Sequence, residues 1–247
     1  MRLSFLAASA AVLILSAAGS DHQHPTLSPE RALQRLMDGN ARFVKHKEKH
    51  PDLSFARRRE LNEQGQHPYA VILGCSDSRV PPELIFDEGL GGLFVIRDAG
   101  NVVDDDVLGS IEYAVEHLGV QLVLVLGHEK CGAVTAALES GEAPGHIQKV
   151  VDAILPAIAQ ARELPGDRVH NCVVANARHV AFQIRTSEPI LRLAVETNRL
   201  QVVAANYNMG TGVVEILDGL KPAGPNQNRK PAVITGAKPS VTLGAHR

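Results

Sequence analysis

The sequence predicts an α/β fold: a mainly parallel central sheet flanked by helices, preceded by an N-terminal helical arm. Three observations predict it. From residue 69 onward, short apolar runs alternate with stretches whose apolar residues recur at helical spacing. The run 121–126, Gln-Leu-Val-Leu-Val-Leu, is apolar on both faces, as a strand in the middle of a parallel sheet must be. Polar clusters rich in Cys, His and Asp follow at once on two of these runs, and open α/β sheets bind ligands at such strand ends.

Each element can be justified in order. Residues 1–19 read as a signal peptide. Arg2 is the only charge before Asp21, residues 3–15 form a mostly apolar run, and residues 16–20 are small. The run is shorter than the roughly 20 apolar residues of a membrane span. It also lacks a basic stop-transfer flank, so export to the periplasm or medium is expected, with no stable membrane anchor. His22 and His24 lie in a linker. Ser28 and Pro29 suit the N-cap and first residue of the arm helix, which carries Leu33, Leu36, Met37 and Phe43. The charge run 45–50 reads as a solvated face.

Residues 69–73 and 93–96 are strand candidates, and Asp104 to Gly119 reads as a helix with acids at its positive end and glycine as its stop. A helix follows Cys131, and apolar positions from Ile147 to Ile158 mark another, expected to kink at Pro156. Val169, Val173, Ala177, Val180 and Ile184 mark the next, with Cys172 as a buried structural thiol. Residues 200–203 and 213–217 read as strands around a turn at 209–212. Residues 20–218 thus form one domain, and 219–247, rich in Pro, Gly, Lys and Asn, a loose tail.

Composition excludes several functions. The 247 residues carry 25 basic and 27 acidic side chains, a formal charge of −2, which lacks the basic surface that nucleic acid demands. With no Trp, 3 Tyr and 6 Phe there is little for stacking bases. Three cysteines are too few for a disulfide scaffold.

The chemistry concentrates in Gly74-Cys75-Ser76-Asp77-Ser78-Arg79 and Gly127-His128-Glu129-Lys130-Cys131-Gly132. Cys75, His128 and Cys131 make a donor set that favours zinc, and three protein ligands would leave a fourth position open. On spacing alone, a Cys75–Cys131 disulfide or buried structural thiols stand beside that reading. Asp77 and Arg79 taken alone read equally as a strand-end cap with a surface ion pair, and Glu129 and Lys130 as solvent-facing residues between ligands.

The paired motifs closely resemble those of the β-class carbonic anhydrases, bacterial type. The resemblance runs from about Pro25 to Asp218 and includes Gly39-Asn40-Ala41-Arg42-Phe43, Ala99-Gly100-Asn101 and Ile111-Glu112-Tyr113-Ala114. It implies one Zn2+ per chain held by Cys75, His128 and Cys131, with Asp77 and Arg79 as the catalytic dyad. It further implies reversible hydration of carbon dioxide to bicarbonate and a proton by zinc-bound hydroxide, in a homodimer or tetramer. Zinc lowers the pKa of bound water from 15.7 to about 7, and Asp77, kept ionised by Arg79, would orient the nucleophile. The alternatives are a hydrolase of carbonyl sulfide or carbon disulfide, which would need the same nucleophile, and a zinc-binding protein without turnover. Gly91-Gly92 and Asp98 depart from the family pattern near the strand ends, and the absence of Trp argues against the inhibitory bicarbonate pocket of some relatives.

Overall fold

A computed structural model describes residues 27–221. The expected signal peptide, the linker histidines and all but the first residues of the expected tail lie outside that range.

The chain runs through helix α1 (Pro29–Val44), α2 (Phe55–Gln64), strand β1 (Ala70–Gly74), α3 (Pro82–Ile85), β2 (Leu93–Arg97) and α4 (Asp105–His117). It continues with β3 (Leu122–His128), α5 (Gly132–Glu139), α6 (Ile147–Ala161), α7 (Arg168–Thr186), α8 (Ile190–Glu196), β4 (Gln201–Tyr207) and β5 (Val214–Asp218). The strands form one sheet in the order β2-β1-β3-β4-β5, parallel except for β5, which pairs antiparallel with β4. This is the mainly parallel α/β architecture that the sequence predicts. The chain leaves β1 for β2 on one side and returns to β3 on the other, so strand order reverses between β1 and β3. A crevice opens at such a point, beyond the carboxyl ends of the strands.

Alternation along the central strands splits the core between two faces. Ile72, Leu124, Leu126 and Val203 pack towards α1, α5 and α6 (Leu33, Val134, Ile154), and Val71, Leu73, Val123 and Val125 towards α4, α7 and α8 (Ile111, Val180, Leu191). β3 is buried along its whole length, as its unbroken apolar run requires. Ser28 caps α1, and the helix runs unbroken through Gly39, where a Cβ would stand 1.8 Å from the Phe86 carbonyl oxygen. Glycine at this position thus serves a close approach of helix to backbone. Asp104 caps α4 by accepting from the Val107 N–H. α6 continues through Pro156 as one helix, although proline has no N–H to donate there. Cys172 is buried, as expected.

Three helices escape the sequence reading. α2 buries no residue, so its sequence carries no apolar stripe to read. α3 and α8 have four and seven residues, too short for periodicity to emerge.

Candidate metal centre

Register places the two motif loops side by side. Gly74 pairs with Leu126 in the parallel β1–β3 ladder, so Cys75 and His128 leave adjacent strand ends at the switch point. The ligand atoms of Cys75, His128 and Cys131 lie within 4.8 Å of one another, and all three residues are buried. Cys131 precedes the first residue of α5, so its sulfur sits at a helix N-terminus. Their convergence fits the expected ligand set.

The histidine is preset for a metal. Its Nδ1 lies 2.9 Å from the Glu129 carbonyl oxygen, which can only accept, so Nδ1 carries the proton. Nε2 is then an unprotonated lone pair, fully buried and without a hydrogen-bond partner. A buried acceptor without a partner is costly, and a metal between it and two sulfurs would satisfy it. The three cysteines are free thiols. The Cys75 thiol is pulled down chiefly by its contact with the Cys131 thiol, against the cost of burial. Its neighbour Cys131 is pushed up by that same contact and by burial, while the backbone N–H groups of Val134 and Ala133 favour its thiolate.

Asp77 and Arg79 meet in a fork. Arg79 donates from Nε to Oδ1 at 2.9 Å and from Nη2 to Oδ2 at 2.6 Å, and its backbone N–H adds a bond to Oδ1 at 2.9 Å. The guanidinium bonds hold the Asp77 carboxyl well below the usual carboxylate range. Two donors fill Oδ1 and one occupies Oδ2, so Oδ2 keeps an acceptor site. Arg79 Nη2 also reaches the Lys130 carbonyl at 3.3 Å, tying this loop to the other.

The sequence reading missed several supports. Arg97, at the end of β2, donates to the carbonyls of Cys75 (2.9 Å) and Asp77 (2.6 Å) and so fixes the loop between them. Asp98 binds the same loop through backbone, receiving Ser76 N–H and donating to the Gly74 carbonyl. Its carboxylate caps the 99–101 turn through Ala99 N–H, and burial pushes its carboxyl up. Gly100 in that turn donates its N–H to Cys75 Sγ at 3.3 Å. Glu129 corrects an expectation: it does not face open solvent but accepts from Asn208 Nδ2 at 2.9 Å. An arginine directly after an apolar strand run was the available signal for Arg97.

Comparison with known proteins agrees with this geometry. Residues 70–214 match the carbonic anhydrase family. The carbonic anhydrase of Mycolicibacterium smegmatis is 40% identical over 196 residues, covering 78% of this chain and 95% of its own. Among solved structures, a tetrameric β-carbonic anhydrase of Sordaria macrospora superposes with a TM-score of 0.62 at 26% identity, over 78% of this chain and 100% of its own. The Coccomyxa β-carbonic anhydrase solved with acetazolamide gives 0.61 at 27% identity, over 77% and 88%. With its mostly parallel five-stranded sheet and a Cys-His-Cys cluster at the switch point, the chain belongs to the β-carbonic anhydrases, a family of lyases.

Proposed function

We propose that this chain catalyses the reversible hydration of carbon dioxide to bicarbonate and a proton, with one zinc ion held by Cys75, His128 and Cys131. The observation that carries the reading is the bare, buried Nε2 of His128 facing two thiols at the strand-order switch of a carbonic anhydrase fold. When bound with three protein ligands, zinc keeps a fourth position for water and brings the pKa of that water to about 7.

The protein's own groups supply the rest. Glu129's carbonyl fixes the His128 tautomer, so Nε2 faces the metal position without a proton to lose. Two sulfurs leave the metal less electrophilic than neutral imidazoles would, which raises the value of an acceptor nearby. Asp77 suits that role: Arg79 keeps it ionised, restrains both oxygens, and leaves Oδ2 able to accept a hydrogen bond and orient a hydroxyl. Stopped-flow hydration of carbon dioxide by the zinc-loaded protein tests the reading. Turnover that tracks zinc content is expected. Full zinc occupancy without turnover would leave a zinc-binding protein, and turnover of carbonyl sulfide or carbon disulfide alone would move the chain to the related hydrolase reading.

We also propose that the protein works as a homo-oligomer outside the cytoplasm. β2 is an edge strand, α2 buries no residue, and Leu53, Phe55, Leu84 and Leu90 are exposed, apolar surface that a second copy would cover. Light scattering should give a dimer or tetramer, and a monomer at micromolar concentration would refute this. Residues 1–19 support export, and mass spectrometry should find a mature N-terminus near Ser20. An intact Met1 in the cytosol would end that part of the proposal.

A further inference from the structure

The Cys75 side of the centre has a support that originates in the middle of a distant helix. Asn176 lies on the stripe of α7 formed by Cys172, Val173, Ala177 and Val180, and is 1% exposed. An amide on such a stripe is unusual, since buried helix positions favour apolar residues. Its Nδ2 donates to the Gly100 carbonyl at 2.8 Å. Gly100 in turn presents its N–H to Cys75 Sγ at 3.3 Å. The glycine is boxed in as well: its φ is +71°, and a Cβ would meet Ile154 Cδ1 at 2.8 Å and Ala133 Cβ at 3.2 Å. A continuous path of contacts therefore runs from the helix, through one glycine, to one sulfur.

Resting on the reading of Cys75 as a metal ligand, we propose that Asn176 is a positioning residue that clamps Gly100 so that its N–H points at Cys75 Sγ and weakens that sulfur as a donor to the metal.

The two sulfurs differ in what moderates them. Cys131 lies at the start of α5, where free backbone N–H groups and the helix dipole face its charge. Cys75 follows a β-strand and has no helix start of its own, so the Gly100 N–H, together with the Asp77 backbone in its own loop, takes that part. An N–H donated to a metal-bound thiolate draws electron density from sulfur. That leaves the metal more electrophilic, the property that two thiolates would otherwise blunt, and raises the energy of sulfur-to-metal charge transfer. The C=O and the N–H of Gly100 belong to the peptide groups on either side of one Cα, so holding the first restricts the second.

Cobalt(II) loaded into the full chain in place of zinc gives a direct readout, the thiolate-to-cobalt absorption in the near ultraviolet. Asn176→Leu keeps the branched shape and removes the amide, and Asn176→Ala removes both. In each, the freed sulfur becomes the stronger donor, and the band is expected to move to lower energy. Asn40→Ala is the control, because Asn40 is an equally buried amide that bridges Ile85, Gly212 and Val214 and touches none of the site. It should leave the band unchanged whatever it does to the melting temperature. If both Asn176 variants lower the melting temperature yet keep the wild-type band, Asn176 only fills space and the proposal is overturned. Absence of a thiolate band in the wild type would instead refute Cys75 as a ligand.

Discussion

The two loops of the site end neighbouring strands but are held in opposite ways. The loop after β3 is tied by backbone. Glu129 N–H bonds the Tyr207 carbonyl at 3.1 Å, Thr135 N–H bonds the Cys131 carbonyl at 2.9 Å, and His128 turns its ring proton onto Glu129. The loop after β1 is tied largely by arginine side chains: Arg97 holds the carbonyls of Cys75 and Asp77, and Arg79 holds the Asp77 carboxylate. Arg79 is half exposed, whereas His128 and Cys131 are buried. A buried backbone frame suits ligands that must not move, and an exposed ionic frame suits groups that exchange protons with solvent. Damage to the β3 loop should therefore remove the metal, and damage to Asp77 or to the arginines of the β1 loop, with Cys75 left in place, should leave the metal while slowing the reaction.

The largest effect tests the first half of that contrast. Cys131→Ser and His128→Ala should reduce zinc, measured by elemental analysis, from one per chain to near zero, with loss of turnover. Cys172→Ser, on α7 and outside the cluster, should keep full zinc. Equal zinc in Cys131→Ser and the wild type would dissolve the contrast at its root.

Next comes Asp77→Asn, in the ionic loop. Zinc should stay, while kcat/KM falls by about 10²–10⁴, the range for a lost proton acceptor or orienting group. Near-wild-type turnover would reduce Asp77 to a loop cap. The same carboxylate fixes a pH expectation. Its pKa in the folded protein is depressed, chiefly by Arg79, so its stabilising contribution is complete above the unfolded value of about 3.9 and is lost only as pH falls through the lower folded value. Between pH 7 and pH 5 the fork should hold. Carboxyl carbon NMR should show no titration of Asp77 in that interval, and a midpoint above pH 4 would contradict the geometry.

Arg97→Ala should act more mildly and in the same sense. It removes two charge-assisted bonds to carbonyls at the loop's surface, so the loop loosens while the cysteine and aspartate remain. A drop of about 10-fold in kcat/KM with zinc retained is expected, the low end for a supporting residue. Loss of zinc as well would mean that Arg97 holds Cys75 rather than the dyad.

What could be read beforehand follows the same division. The apolar run from Leu122 to Leu126 announced the central strand, and Cys75, His128 and Cys131 stood out as a zinc-favouring set, although spacing alone left a disulfide or structural thiols beside that reading. Family likeness, rather than spacing, selected Asp77 and Arg79 as a pair, since a carboxylate two residues from an arginine is common on any surface. Arg97 and Asn176 act on carbonyls, and a carbonyl has no identity in a sequence. Asn176 nonetheless left a mark, a polar residue on an otherwise apolar helical stripe. α2 left none, because it buries no side chain in the described chain.

The smallest effect sharpens the contrast most finely. Lys130, between the two β3-loop ligands, has φ +53°, whereas no residue from 75 to 79 adopts a positive φ. A side chain in that left-handed region costs about 1–2 kcal/mol. Lys130→Gly relieves most of this, but the freer unfolded chain takes back about 0.4–1 kcal/mol. The net should be a gain between zero and about 1 kcal/mol, a rise in melting temperature of at most about 4 °C for a chain of this size. Zinc content should not change, because Lys130 contributes its carbonyl to Arg79 and that acceptor survives the substitution. A glycine placed in the 75–79 loop has no such strain to relieve and should only destabilise. Loss of zinc in Lys130→Gly would show that a side chain, and not the backbone, holds the buried loop, and the opposition between the two loops would fail.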